Sequence, residues 1–342
     1  MLGDDLDYRE NNSGLQILEL EITNSCNLNC KHCYVPRDGI RSLPIDTIKE
    51  LITQSNDMKL NRLVFSGGEP LLYSGLFEVA KYAREVGIPD IGLLTNGLLV
   101  SEKNVEKLKI FDEIQLSIDV PPNHEGIMRI YYTDKLDKKI DMLKAHGINV
   151  ILFATLSKST LPLLDELIAF AKGKGVNISF NRLSAVSPEL KSEILTPAEL
   201  MGALRRISKE NFAEVSCSDP LLFLVDDSRK KYFMQLSDKP GIKGGCMAGI
   251  AALYITSSGT VYPCPFLQMD VGNIFKDKLD DIWENSPVLA DLRDRSKITG
   301  KCGACQYLYY CGGCRGASLK SSGDIYHSDP HCFKDLVNTT QA

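Results

Sequence analysis

From residue 15 to about 185 the chain alternates between two kinds of segment, and this alternation sets what it can fold into. Short apolar runs rich in β-branched residues span 15–22, 62–66, 91–95, 113–118, 149–156 and 177–183. Stretches with helical period separate them, near 44–58, 75–87, 101–110, 133–146 and 161–174. Pro44 with Asp46, and Ser101 with Glu102, supply start signals for the first and third of these helices. Repeated βα units predict parallel strands, because a parallel neighbour is reached only by a long crossover, usually a helix. Six units predict an α/β fold: a partial (β/α)6 TIM-like barrel, short of eightfold closure. In such barrels chemistry collects in the loops that follow the strands.

Those loops carry unusual residues. Cys26, Cys30 and Cys33 follow the first strand with the spacing C-x3-C-x2-C. Three thiolates on one short loop can hold three irons of a four-iron cluster and leave the fourth open to another ligand. Gly67-Gly68-Glu69-Pro70 follows the second strand, where glycines let a backbone approach a ligand closely and its carbonyls and amides can meet a charged group. Asn96 follows the third strand, although Asn-Gly is also a common turn. Ser117 and Asp119 end the fourth, where a capped strand end is the plainer interpretation. Asn181 and Arg182 end the sixth and are candidates to face the same cavity.

The chain then changes character. Residues 1–14 read as a flexible lead-in, 15–185 as the barrel, 186–240 as a connecting helical region with a helix from Thr196-Pro197 to about 210, 241–335 as a small cysteine-rich domain, and 336–342 as a tail. The small domain has short strand candidates at 252–256 and 260–263. It holds seven cysteines: Cys246, Cys264, Cys302, Cys305, Cys311, Cys314 and Cys332. Such a domain lacks a large core and depends on metal for stability. CxxC pairs are the usual zinc signature, and beside the first cysteine loop an iron–sulfur reading takes precedence. Eleven cysteines, an odd number, without an export signal point to a reducing cytoplasm and to metal rather than disulfides.

Composition narrows the partners. The 342 residues are 44% hydrophobic and 24% charged, as in ordinary globular chains, with a net charge of −5 and no long basic run. Nucleic acid is therefore not an expected partner. No segment approaches the roughly 20 apolar residues of a membrane span, so no membrane association is expected.

The cysteine loop and the glycine motif in register one βα unit apart make residues 15–185 resemble the radical S-adenosylmethionine (radical SAM) enzymes. The resemblance implies that Cys26, Cys30 and Cys33 hold a [4Fe-4S] cluster with an open iron, flanked by His32 and Tyr34 in the family's CKHCY-like string. It implies that Gly67, Gly68, Glu69 and Pro70 meet the methionyl amino group. Ser117 and Asp119 would lie near the ribose, Asn96 would touch the cofactor, and Arg129 would approach the methionyl carboxylate. Glu125 stands where relatives commonly show Asp. An electron passed through the cluster would cleave S-adenosyl-L-methionine to a 5′-deoxyadenosyl radical that abstracts a substrate hydrogen. The C-terminal pattern C-x12-G-x4-C, C-x2-C-x5-C-x2-C and a final C resembles the SPASM domain, with x2 in place of the commoner x3 before Cys314. By that resemblance Cys246, Cys264 and Cys314 hold one auxiliary [4Fe-4S] cluster, and Cys302, Cys305, Cys311 and Cys332 another. The first of these either has an open iron or takes its fourth thiolate from Cys217; a buried free cysteine is the alternative for Cys217.

The expected activity is modification of a ribosomally made peptide or protein by crosslinking, epimerisation, oxidation or backbone cleavage. The alternative is a tetrapyrrole substrate in haem synthesis, suggested by the CGGCR…GD…DPxC ending. A non-catalytic iron–sulfur redox or binding module is the third reading. A flavodoxin- or ferredoxin-type electron donor is an expected partner. Only 25 residues precede Cys26, so a leader-bearing substrate is expected to need a separate leader-peptide-binding protein or another surface. Pro265 stands where sulfatase-oxidising relatives carry a basic aspartate, which argues against that activity. Acidic residues such as Asp270 remain, with none singled out as a general base.

Overall fold

Six parallel strands form where the βα alternation puts them. They are β1 (Ile17–Glu21), β2 (Arg62–Ser66), β3 (Asp90–Thr95), β4 (Glu113–Ile118), β5 (Val150–Leu156) and β6 (Asn177–Arg182). The computed structural model describes residues 14–122, 124, 126–129, 133–184, 188–235 and 241–339; Glu125 and residues 1–13 and 340–342 lie outside these. Between the strands run α1 (Ile45–Asp57), α2 (Leu76–Val86), α3 (Val105–Leu108), α4 (Thr133–Ala145) and α5 (Leu164–Lys174). The strands lie side by side in sequence order, each paired in parallel with the next.

Alternation along each strand separates two layers. Leu18, Leu20, Leu63, Phe65, Leu93, Leu116 and Leu152 are fully buried. They join Ile48, Leu51 and Ile52 of α1, Val79, Ala80 and Ala83 of α2, and Leu167, Ile168 and Ala171 of α5 in one core. The spacing of those helical residues gives each helix one apolar stripe against the sheet. The other strand face lines the barrel interior, and its polar residues occupy two levels. Near the strand starts Arg62 is buried and ion-paired with Asp90 at 2.5 Å and Glu113 at 2.6 Å. Higher up lie Glu19, Gln115, Ser117, Thr155 and Asn181, on an open cavity.

The structure departs from the sequence reading in three places. α3 starts only at Val105: Ser101 opens a turn, its carbonyl accepting the Asn104 and Val105 N–H groups at 3.0 and 2.9 Å and its N–H and hydroxyl donating to Asn104 Oδ1 at 2.8 and 3.3 Å. The connecting region supplies a seventh parallel strand, β7 (Val215–Cys217), beside β6, as well as the expected helix α6 (Pro197–Ile207) with a Thr196/Glu199 capping box. The cysteine-rich segment also does not stand apart from the barrel. Its strand β8 (Ala252–Ile255) pairs in parallel with the free edge of β1, and β9 (Thr260–Tyr262) and β10 (Gly272–Asn273) extend it antiparallel. The result is one ten-stranded sheet in the order β10-β9-β8-β1-β2-β3-β4-β5-β6-β7. Covering β1 satisfies a row of edge N–H and C=O groups. Buried Glu21 fastens the junction, accepting the Tyr254 hydroxyl and, at 3.1 and 2.5 Å, the Ser257 N–H and hydroxyl.

Candidate functional site

The site is built from the loops after the strands. The loop after β1 carries Cys26, Cys30 and Cys33 and is closed on itself by buried Asn24. Its amide donates to Gly39 O at 2.6 Å and its Oδ1 accepts the Arg41 N–H at 2.7 Å. The glycine motif then locks this loop to β2: Gly68 N–H donates to Thr23 O and Glu69 N–H to Ser25 O, both at 2.7 Å. Two of the amides expected to meet a ligand are therefore engaged in holding the cysteine loop. Gly67 has φ +151°, and a Cβ there would lie 2.3 Å from Thr23 O. A Cβ at Gly68 would lie 2.3 Å from Ser25 O and 2.5 Å from Asn24 O. Gly68→Ala is expected to cost about 1–3 kcal/mol by overpacking and to lower the iron held at the first loop. Thermal unfolding and iron analysis check both effects.

Glu69 and Pro70 stand behind the cavity wall. Glu69 is buried; its Oε1 accepts the Thr95 hydroxyl at 2.6 Å and the Leu71 N–H at 3.0 Å, and its Oε2 accepts the Asn96 N–H at 2.9 Å. Its carboxyl is raised by burial and lowered by these bonds. Asn96 faces the cavity and donates to Asn27 Oδ1 at 2.7 Å, joining the third strand end to the cysteine loop. At the fourth strand end Ser117 lines the cavity, whereas Asp119 lies beneath it. Asp119 accepts the Met128 N–H at 3.1 Å and the Arg129 N–H at 2.5 Å and forms a buried ion pair with the Arg129 guanidinium. Lys31 N–H donates to Met128 O at 2.9 Å, so this unit also touches the cysteine loop.

Cys26, Cys30, Cys33, His32, Tyr34, Gly67, Gly68, Asn96, Ser117 and Arg129 all line one cavity, open to solvent. Burial raises the Cys30 thiol to about 11; Arg129 opposes the rise, and Cys33 and Cys26 add to it. Burial likewise raises Cys26. Thiols in this state ionise when a cation binds them. Burial, reinforced by Arg129, holds the His32 imidazole down to about 4, and its buried Nδ1 has no hydrogen-bond partner. The Tyr34 hydroxyl donates to Glu19 at 3.4 Å, and its ring packs edge-on against Tyr254 and Phe266 at 5.9 and 5.4 Å. The wall thus continues from the barrel into the C-terminal segment, where Pro265 and Phe266 line it.

The C-terminal cysteines fall into two groups. Burial raises the Cys264 thiol, and Cys246 and Cys314 add to it. Burial also raises Cys332, with smaller contributions from Cys302 and Cys305, and raises Cys311, with Cys302 adding to it. Cys302, Cys305, Cys311 and Cys332 line one pocket. Buried Arg295 lies between the groups, acted on by Cys246 of one and Cys311 of the other. Cys217 sits with neither: it is buried on β7, pushed up to about 12 by burial, with Asp219, Arg229 and Arg182 as its charged neighbours. The three half-buried thiols of the first loop and the unpartnered His32 nitrogen fit a cluster with a small polar ligand on it.

Sequence reasoning missed the polar residues of the barrel interior. Glu19, Gln115 and Thr155 line the cavity from β1, β4 and β5. Burial raises the Glu19 carboxyl to about 7; Ser66 and Tyr34 lower it, and Glu21 raises it further. The signal was a charged or polar residue at alternate, inward positions of otherwise apolar strands. Asp270 accepts the Gly272 N–H at 3.0 Å in a turn and is not part of the lining.

Comparison with known proteins bears on this architecture. Residues 20–171 match the model of the radical SAM superfamily, and residues 246–306 match that of the SPASM iron–sulfur cluster-binding domain. An AdoMet-dependent heme synthase of Methanosarcina barkeri is 28% identical over 342 residues, covering 93% of this chain and 96% of its own. The PqqA peptide cyclase of Xanthomonas axonopodis pv. citri is 27% identical over 340 residues, covering 93% of this chain and 88% of its own. The crystal structure of Streptococcus suis SuiB bound to its precursor peptide SuiA superposes with a TM-score of 0.75 at 21% identity, covering 94% of this chain and 76% of that one. The radical SAM domain implies S-adenosylmethionine and a [4Fe-4S] cluster, and the SPASM domain implies auxiliary iron–sulfur clusters. This chain belongs to the radical SAM enzymes, with a radical SAM barrel joined through a continuous sheet to a SPASM domain.

Proposed function

We propose that the cavity is a reaction chamber in which Cys26, Cys30 and Cys33 hold the first cluster and a substrate C–H bond is activated. The single observation that carries this is the convergence of the three thiols, Gly67, Gly68 and Asn96 on one cavity. When bound, S-adenosylmethionine supplies a one-electron cleavage and the power to abstract hydrogen. The chain's own residues do the rest. Asn24 and the Gly68 and Glu69 amides hold the loop, Arg129 supplies a positive charge near the methionyl carboxylate, and Asn96 and Ser117 contact the cofactor. The Tyr34–Tyr254–Phe266 wall excludes water. Glu19 Oε1, beside the Tyr34 hydroxyl, holds or accepts a proton. Cys246, Cys264 and Cys314 carry one auxiliary cluster, and Cys302, Cys305, Cys311 and Cys332 a second. The domain limits follow: barrel 15–185, connecting region 186–240 and SPASM domain 241–335.

The substrate we propose is a ribosomally made peptide or protein. The lining supports this, because Gln115, Ser117, Thr155, Asn181 and Ser184 are neutral hydrogen-bonding groups suited to a peptide backbone. A lining arginine other than Arg129, Arg182, is ion-paired with two buried aspartates, which lessens its capacity to bind an added carboxylate. The electron donor would be of flavodoxin or ferredoxin type, and a separate leader-peptide-binding protein would present the substrate. The setting would be the cytoplasm, where thiols stay reduced; among the described residues no helix is long and apolar enough to cross a membrane. The heme synthase relative favours a second reading, a tetrapyrrole substrate.

Two measurements test these readings. Anaerobically reconstituted protein with reductant and S-adenosylmethionine is expected to form 5′-deoxyadenosine, and no product would overturn the enzymatic reading. Mass spectrometry of a co-expressed candidate peptide, against incubation with carboxylated porphyrins, then separates the two substrate classes.

A further inference from the structure

The end of β6 carries a buried charge unit that reaches out of the barrel. Arg182 lines the cavity and is 7% exposed; its Nε lies 2.9 Å from Asp219 Oδ2. Its two Nη atoms grip Asp329 as a fork, Nη1 at 3.1 Å from Oδ1 and Nη2 on Oδ2. Asp219 and Asp329 are 5% and 3% exposed, so all three charges sit out of water. Asp329 belongs to the C-terminal segment, 147 residues from Arg182 in the chain. Its Oδ2 also accepts the Cys314 N–H at 2.8 Å, and its Oδ1 the His331 N–H at 2.9 Å. One cation from the barrel is thus tied, through one carboxylate, to the backbone of a cysteine in the auxiliary group.

We propose that the Arg182–Asp329 pair is the device by which the barrel sets the reduction potential of the iron–sulfur cluster held at Cys246, Cys264 and Cys314. The inference rests on the reading of these three cysteines as ligands. Its physical basis is elementary. An added electron on a cluster is stabilised by a nearby positive charge and destabilised by a negative one, and both effects are large where water is excluded. Hydrogen bonds and charge around the cysteines are recognised levers on such potentials. Because Arg182 also lines the cavity, the unit links the state of the reaction chamber to the ease with which this cluster accepts an electron.

A bidentate buried pair can also be merely structural, and the sign of the response separates the two roles. The test uses the anaerobically reconstituted full chain, with iron and sulfide analysis followed by redox titration of each cluster's electron paramagnetic resonance signal. Arg182→Gln is expected to move one cluster's midpoint to a more negative potential and Asp329→Asn to move the same midpoint to a more positive one. Arg182→Lys keeps the charge and is expected to stay near wild type. If Arg182→Gln loses iron through misfolding, Asp329→Asn carries the test alone, and its midpoint must rise. Shifts of the same sign, or none, with iron content equal to wild type would overturn the inference. Wild-type protein without auxiliary iron would instead overturn the ligand reading beneath it.

Discussion

With Cys26, Cys30 and Cys33 replaced together by alanine, the reconstituted protein will form no 5′-deoxyadenosine from S-adenosylmethionine, while iron at the C-terminal cysteines stays bound. The first loop offers the three thiolates, and the two C-terminal groups are separate from it: none of the seven C-terminal cysteines lines its cavity. The loop's fold does not depend on its thiols, because Asn24, Thr23 O, Ser25 O and Lys31 N–H anchor it through bonds that alanine leaves intact. Loss of product therefore reports loss of the cluster rather than collapse of the barrel. Iron analysis and far-ultraviolet circular dichroism on the same sample check that point. Product at the wild-type level would show that this cavity is not where the cofactor is cleaved.

Glu19→Gln will lower substrate conversion by about 10²–10⁴-fold, the usual worth of a positioned acid or base, yet leave 5′-deoxyadenosine formation in place. Glu19 is half-buried on the cavity. The groups acting on it are Ser66, the Tyr34 hydroxyl and Glu21, with Tyr254 opposite it on β8, and none of these is a cation. Its carboxyl is therefore mostly protonated below about 7 and ionised above it. If it accepts the proton, the conversion rate of the wild type rises with pH through about 7, and that limb disappears in the glutamine variant. The same shift has a stability consequence. Folded Glu19 is raised above its ordinary value of 4.5. Its contribution to stability is therefore full below about 4.5 and lost as pH rises through about 7. Glu19→Gln should thus gain more in melting temperature over wild type at pH 8 than at pH 5, read by calorimetry. Identical pH–rate profiles, with the substrate found by mass spectrometry, would remove Glu19 from the chemistry.

Much of this architecture was legible in the chain because it is encoded locally. The βα alternation located β1 to β6 within one or two residues, since an apolar run of strand length and a helical stripe are read from adjacent positions. Failures came where a distant partner decided. Val215–Cys217 is too short to signal a strand and becomes one because the edge of β6 is open to it. Ser101 carries a start signal, but a turn follows it and the helix proper begins only at Val105. Glu69 and Asp119 read as cofactor contacts, yet both Glu69 oxygens accept backbone N–H groups, and Asp119 accepts two backbone N–H groups on Oδ2 and the Arg129 guanidinium on Oδ1. Glu19 was passed over because an acidic residue on a strand has no meaning until its face is known.

The sequence by itself determined the chemistry available: three clustered thiols after one strand, a glycine turn after the next, and seven more cysteines, four of them in CxxC pairs. These are short-range facts, and steric rules bind them to loops. Only the tertiary structure decided how the pieces meet. It laid β8 along β1 to make a single sheet, turned Glu19 and Tyr34 into one cavity wall, and drew Asp329 across to Arg182. Contacts of this kind depend on how layers pack and which charges can share a buried space. No local pattern carries that information.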